Sequence, residues 1–316
     1  MRIVFMGTPD FSVPVLESLV SSRHQVVAVV TQPDKPKGRG NGIAMSPVKE
    51  TALKHGLEVF QPVRAREEAF IQKMRELKPD VMVVVAFGQI LSKELLDVPF
   101  YGCVNIHASL LPKYRGASPI QWAVINGDAQ AGVTTMMMDE GMDTGDMLEK
   151  RAVCLDKKET GGSLFGRLSL LGGELILSTL DKLEKGTLRR IPQNHEEATY
   201  VKKIPKSLGE IDWSMDAAAI ERLIRGLSPW PSAYTWLGGK MLKLWEADVL
   251  PDEATAGENR EGCGRVLAAS SSGLKVGTGG GILNITSLQL EGKKRMDTAA
   301  FLRGFAIEAG TKLGRS

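Results

Sequence analysis

Asn105 and His107 stand two residues apart where the apolar run Gly102-Cys103-Val104 gives way to a loop broken by Pro112 and Gly116. Side chains along a strand repeat every two residues, so the amide and the imidazole project from one face. Together they offer a chemistry. An amide donates to a developing oxyanion, and an imidazole donates or carries a proton. A second polar cluster lies in "MMMDEGMDTGDML", residues 136–148, where an apolar run opens into a loop with Asp139, Glu140, Asp143 and Asp146. A carboxylate from such a loop would fix the imidazole's tautomer and balance its charged form. The set has no Ser or Cys as nucleophile, which suits a reaction whose nucleophile arrives with a substrate. Taken singly, His107 reads as a strand-end residue and the acidic loop as a solvated hairpin. The four carboxylates match no calcium-loop spacing and no His joins them, so no metal is expected.

The glycine-rich stretches carry less. "MGTPDFS" follows a strand and opens a helix, but has one glycine where a dinucleotide fingerprint needs three. "KGRGNG" starts no helix immediately and lacks the Gly-Lys-Ser/Thr ending of a phosphate loop.

The elements that must position Asn105 and His107 are legible upstream. "RIVFMG" reads as a strand, followed by a helix through Val15, Leu16, Leu19 and Val20. "QVVAVVT" is a second strand, Pro47 to His55 a helix, "LEVF" a short strand. A helix with Phe70, Met74 and Leu77 leads to "VMVVVAFG". Continuous Val/Ile/Met runs indicate strands covered on both faces, and regular strand–helix alternation indicates parallel pairing. A doubly wound α/β sheet is expected, binding ligands beyond the carboxyl ends of its strands, where His107 would lie.

The texture changes after Leu180. Residues 182–206 carry seven Lys/Arg against three Glu, and Pro192 and Pro205 interrupt any helix, which reads as a basic linker. A helix near 217–227 then precedes short segments separated by Gly and Ser, as expected of a small antiparallel barrel or sandwich. The expected division is a catalytic domain over 1–186, the linker over 187–206 and a barrel over 207–316. Trp230, Trp236 and Trp245 are expected in the barrel core. Residues 207–316 hold thirteen Lys/Arg and thirteen Asp/Glu, so attraction for a polyanion must come from the linker and from residues 31–49.

At 316 residues and net charge +3, the chain suits two cored domains and no general polyanion binder. The longest apolar stretch, Val81 to Ala86, falls far short of a bilayer span. Strand-like sequence begins at Ile3, so no signal or transit segment is expected. Cys103, Cys154 and Cys263 are odd in number and far apart, so buried thiols in a reducing compartment, the bacterial cytoplasm, are expected.

"NIHASLLPKYRGASPIQWAVINGD" and "EGMDTGDML" resemble the signature segments of the folate-dependent formyltransferases. "MGTPDF", "TQPDKPKGRG", "VVVAFGQIL", "EIDW" and "SPWPSAYT" extend the resemblance, in order, over nearly the whole chain, toward the branch acting on methionyl initiator tRNA. The resemblance implies a Rossmann-like domain joined to an oligonucleotide-binding type β-barrel. It implies transfer of a formyl group from 10-formyltetrahydrofolate, without metal, to the amine of methionine carried on initiator tRNA. It assigns Asn105, His107 and Asp143 as the catalytic trio. The folate site would be formed by Phe87, Gly88, Gln89, Ile90, Leu91, Ser109, Leu110, Leu111 and Pro112. Lys35, Lys37, Arg39 and Gly40 match the insertion that grips the tRNA. The competing readings are an amino sugar nucleotide formyltransferase with the same trio and a tRNA-binding chaperone without catalysis.

Overall fold

The apolar runs of the first half form a seven-stranded sheet, seen in a computed structural model that describes residues 1–37, 42–250 and 262–315. In chain order its strands are Arg2–Gly7, Gln25–Val30, Val59–Phe60, Val81–Val85, Cys103–His107, Gln130–Met137 and Met147–Cys154. Arg2–Gly7 lies mid-sheet. Gln25–Val30 and Val59–Phe60 are laid to one side of it, and Val81–Val85 then Cys103–His107 to the other. These five strands are parallel. The order therefore reverses between Arg2–Gly7 and Val81–Val85, which opens a crevice at their carboxyl ends. Register aligns those ends: Gly7 pairs with Val85, and Val84 with Asn105. The loops after Gly7, Val85 and His107 thus leave one edge together.

The last two strands depart from the parallel pattern. Gln130–Met137 runs antiparallel beside Cys103–His107, pairing Met136 with Asn105 and Thr134 with His107, and Met147–Cys154 returns along it. Their connection is the acidic loop. Behind the sheet, Ile106 points away from the Asn105–His107 face and meets the helix Gly161–Glu184 at Gly172. A Cβ on Gly172 would come within 3.2 Å of the Ile106 Cγ2 atom, so glycine lets the helix lie directly on the strand. Among the described residues this helix alone is long and apolar enough to cross a membrane by composition (24 residues, hydropathy 1.2), yet half of that window is buried inside the protein.

The second unit comprises residues 202–316 with 120–129 and 155–164. Its antiparallel sheet runs in the order Ala233–Leu237, Lys240–Leu250, Ile282–Leu290, Gly273–Gly277, Val266–Ser270, with Met296–Asp297 paired to the third. Among the described residues no backbone ladder joins the two outer strands. Leu242, Leu244, Leu274, Val276, Leu283, Ile285 and Leu288 alternate into one core with Trp213 and Phe301. The helix Ala217–Gly226, capped by Asp216 on the Ala218 amide (2.8 Å), adds Ile220 and Ile224.

Three sequence expectations are corrected. The tryptophans expected in the barrel core are outside it. Trp230 is 53% exposed, and Trp236 and Trp245 are half-buried, lying on the outward-facing positions of their strands. Cys154 is exposed rather than buried, because it ends an edge strand. The stretch read as a linker is not free. Ile191 bridges to Met147, and Tyr200–Val201 pairs with Arg115–Gly116, so residues 187–201 pack into the first unit and the last segment of the second begins at 202.

Candidate active site

The strand Cys103–His107 is buried along its length, and both neighbours hold its backbone. Asn105 and His107 are 9% and 7% exposed on one face, as the period of two predicts. Among the described residues the Asn105 amide makes no hydrogen bond within the protein. Cys103, one step back on the same face, has its thiol pushed up to about 12 by burial, so it is not a nucleophile at neutral pH.

His107 Nε2 lies 2.9 Å from the Tyr114 carbonyl oxygen. A carbonyl only accepts, so Nε2 carries the hydrogen. On the other side, Nδ1 faces Asp143 Oδ1 at 3.6 Å. The ring is thus held with Nε2 donating to a carbonyl and a carboxylate standing beside Nδ1.

Asp143 is the one acidic-loop residue turned to the histidine. Asp139 is used locally, accepting from the Gly141 amide (3.0 Å) and the Thr144 hydroxyl (2.7 Å), and the Asp146 carbonyl accepts from the Met137 amide (2.8 Å). Asp143 Oδ2 accepts from the Gly116 amide at 2.8 Å, which sets the carboxylate's orientation. Asp143 itself has φ +55, and Tyr114 and Ser118 have φ +61 and +63. Such left-handed backbone costs about 1–2 kcal/mol per residue with a side chain, and it gathers here in the loops around the imidazole.

Gly116 is the pivot. Its φ is +99, and a Cβ there would meet the Val201 carbonyl oxygen at 2.5 Å. Gly116→Ala is expected to push the loop off Val201 and lengthen the bond to Asp143. Stability should fall by at least about 1 kcal/mol, and kcat by about tenfold, the worth of one hydrogen bond to a charged group. Thermal melting with steady-state kinetics checks this; wild-type kcat in the variant would remove Gly116 from the site.

The residues expected to line the folate site occupy loops from the same sheet edge, with differing freedom. Phe87 and Leu91 are buried in the core, and the Phe87 carbonyl accepts from Thr8 Oγ1 (3.0 Å) and Gln32 Nε2 (3.2 Å). Gln89 ties the loop down through the Ala65 amide (2.7 Å) and the Pro62 carbonyl (3.0 Å). Gly88 has φ +84, while Ile90 is 87% exposed. Ser109 donates to the Lys113 carbonyl (2.6 Å), Leu111 packs on Met136 and Met147, and Lys150 donates to the Leu111 carbonyl. Leu110 and Pro112 are partly open.

The cationic segment expected to meet RNA falls partly within the described residues. Lys35–Lys37 pairs antiparallel with Gly42–Ala44, so the loop is a two-stranded ribbon, whereas Arg39 and Gly40 lie outside the described residues. Lys35 is exposed. Lys49, counted among the segment's cations, is committed: its Nζ lies 2.6 Å from Asp34, and this hydrogen bond, seconded by Gln61, holds the Asp34 carboxyl below its usual range.

Sequence reasoning missed two residues bonded toward the Asp143 loop. Arg115 is fully buried, and Gln193 lies in the supposed linker. Arg115 stands beside Gly116 in a quoted motif, but nothing in the residue pattern around Gln193 marks it.

Comparison with known proteins agrees with this architecture. Residues 1–180 match the family described as formyl transferase, and 203–306 match the formyl transferase C-terminal domain. A methionyl-tRNA formyltransferase of Agathobacter rectalis is 57% identical over 311 residues, 98% of this chain and 99% of that one. One from Lachnospira eligens is 54% identical, covering 99% of this chain and all of its own length. Among solved structures, an N-formyltransferase from Helicobacter canadensis, complexed with folinic acid and dTDP-3-aminofucose, has a TM-score of 0.66 at 17% identity, covering 90% of this chain and 99% of that one. HypX from Aquifex aeolicus with tetrahydrofolic acid gives 0.60 at 20% identity, covering 96% of this chain and 47% of that one. At those identities they share the fold. With both domains matched in order and its relatives aligned end to end, the chain belongs to the formyl transferase family, among its methionyl-tRNA formyltransferases.

Proposed function

We propose that the chain transfers the formyl group of 10-formyltetrahydrofolate to the free amine of methionine esterified to initiator tRNA, using Asn105, His107 and Asp143. The observation that carries the residue assignment is the imidazole of His107 set between Asp143 and the Tyr114 carbonyl, beside an unpaired amide. The amine's lone pair forms the new C–N bond while the formyl π pair moves onto oxygen. The Asn105 amide donates to that oxyanion. His107 donates as well, exchanging its bond to the Tyr114 carbonyl for one to the substrate. The intermediate collapses by breaking the bond to the folate nitrogen, which leaves as it takes up a proton, while the new amide loses one. Positioning two bound substrates supplies up to about 7–11 kcal/mol, and one oxyanion donor about 3–4 kcal/mol. The trio can therefore be small. We assign the folate donor to the loops 87–91 and 109–112, where Gly88, exposed Ile90 and the backbone offer contacts to a flat ring system.

The amino sugar nucleotide alternative is less well supported. Sugar formyltransferases are similar to this chain at about 17% identity, against 57% for a methionyl-tRNA formyltransferase. The second unit also carries a surface suited to RNA. The Trp245 ring is flanked by Lys243 and Arg295 at 5.9 and 5.1 Å, and Trp236 by Arg315 at 5.3 Å, pairing aromatic faces with cations. A direct assay supplies 10-formyltetrahydrofolate with either charged initiator tRNA or an amino sugar nucleotide. Formylation of the sugar alone would overturn the reading.

The cationic segment that includes the paired strands Lys35–Lys37 and Gly42–Ala44 supports the same acceptor. Replacing Lys35, Lys37 and Arg39 with Ala should weaken tRNA binding and reduce the slope of log K against log salt by about two, since each phosphate contact contributes roughly 0.7–0.9. Folate binding should not change. An unaltered slope would show that the ribbon's cations meet no phosphate.

A further inference from the structure

Arg115 has no exposed surface, yet its guanidinium forms no ion pair among the described residues. A buried charge without a counter-charge is costly, so neutral partners must hold it for a purpose. Its Nε and Nη2 both donate to Gln193 Oε1, at 3.0 and 2.7 Å. Nη1 donates to the Tyr200 hydroxyl at 2.9 Å and meets His195 Nδ1 at 3.2 Å, and the guanidinium lies 5.6 Å from the Tyr200 ring centre.

A guanidinium only donates, so it fixes which end of the Gln193 amide is oxygen. The NH2 end is then forced the other way. Nε2 donates to the Asp143 and Gly145 carbonyls, at 2.8 Å each. These bonds close over the one acidic-loop residue that faces His107, and they hold it at φ +55. The residue after Arg115, Gly116, grips the same aspartate by its carboxylate. One two-residue strand thus holds Asp143 by side chain and, through Gln193, by main chain. The loop has room to relax without that hold, for a cavity of about 370 Å3 is lined by Thr144, Gly145, Asp146, Pro192 and Gln193.

We propose that Arg115 and Gln193 form a clamp that positions Asp143 against His107, making both positioning residues for formyl transfer. The inference rests on the role given to Asp143 above. Arg115 supplies direction: its charge orients the Gln193 amide, and the amide holds the strained loop.

The test is Gln193→Glu. A carboxylate accepts from Arg115 as well as the amide does, and it supplies the missing counter-charge, but it has no hydrogen for the two carbonyls. The fold and Arg115 should keep their places while Asp143 is released. Displacement of a catalytic group by a fraction of an ångström is expected to lower kcat about tenfold or more, with KM for folate donor and tRNA within about threefold of wild type. Combining Gln193→Glu with Asp143→Asn should cost less than about twofold beyond Asp143→Asn alone, because the positioned group is already gone. Gln193→Ala should show the same non-additivity and serves if the Glu variant does not fold. A smaller fall in kcat in a folded variant, or losses that multiply in the double variant, overturns the clamp. If Asp143→Asn alone is harmless, the reading of Asp143 and the clamp fall together. If Asp143→Asn is crippling and Gln193→Glu is not, the clamp alone falls.

Discussion

Asp143→Asn is expected to lower kcat by about a thousandfold or more, with donor affinity and fold little changed, as when other His–Asp pairs are altered in this way. The geometry says why an isosteric change should be so damaging. The Gly116 amide needs an acceptor, so the oxygen of the new amide must face it, in the place of the Asp143 oxygen 2.8 Å away. The NH2 group then faces His107 Nδ1. At Nε2 the hydrogen is already directed to the Tyr114 carbonyl. An NH2 group facing Nδ1 removes the carboxylate that would balance positive charge on the ring as it donates to a developing oxyanion. Measuring kcat at saturating donor and charged tRNA, with a thermal melt as control, decides the matter. A loss confined to KM for the folate donor would make Asp143 a binding residue.

That prediction needs two facts that differ in how far sequence displays them. The shared face of Asn105 and His107 follows from strand periodicity, which is local and survives any packing. The parallel core likewise follows from Val/Ile/Met runs such as 81–85, whose burial on both faces leaves them no polar positions. The partner of Tyr114, Gly116 and Asp143 is another matter. Tyr200–Val201 and Gln193 come from a stretch whose prolines and basic residues describe a solvated connection. Tyr200–Val201 is drawn in by backbone pairing to Arg115–Gly116 and Gln193 by the neighbouring backbone bridge of Ile191 to Met147, and backbone pairing has no side-chain signature. The tryptophans fail for a related reason. Trp236 and Trp245 sit on alternating strands, and period alone does not say which face is inside. Their neighbours decide it: Leu242, Leu244 and Leu237 point inward and leave the rings to Arg315, Lys243 and Arg295. Resemblance supplied Asp143 among four carboxylates. In the structure Asp143 faces His107, whereas Asp139 is committed to its own turn.

Asn105→Ala is expected to lower kcat by about a hundredfold to a thousandfold, the loss seen when one oxyanion donor is removed. Asn105 is anchored on both sides, paired with Val84 and with Met136, so its side chain leaves the strand from a fixed point. It is 9% exposed and its amide is unpaired among the described residues. Solvent therefore reaches the amide from the open side of the strand, and a donor fixed at its base and free at its tip is what a transient oxyanion needs. Removing it should leave the melting temperature within a few degrees, since no hydrogen bond among the described residues is lost with it. Asn105→Asp separates donor from shape. It keeps the volume but offers a carboxylate that repels the oxyanion, whereas Ala leaves space for a water that can donate in part. The expected order of kcat is wild type, then Ala, then Asp. The reverse order of the two variants would mean that shape at position 105 matters and donation does not, and Asn105 would then pass from the catalytic trio to the packing of the strand.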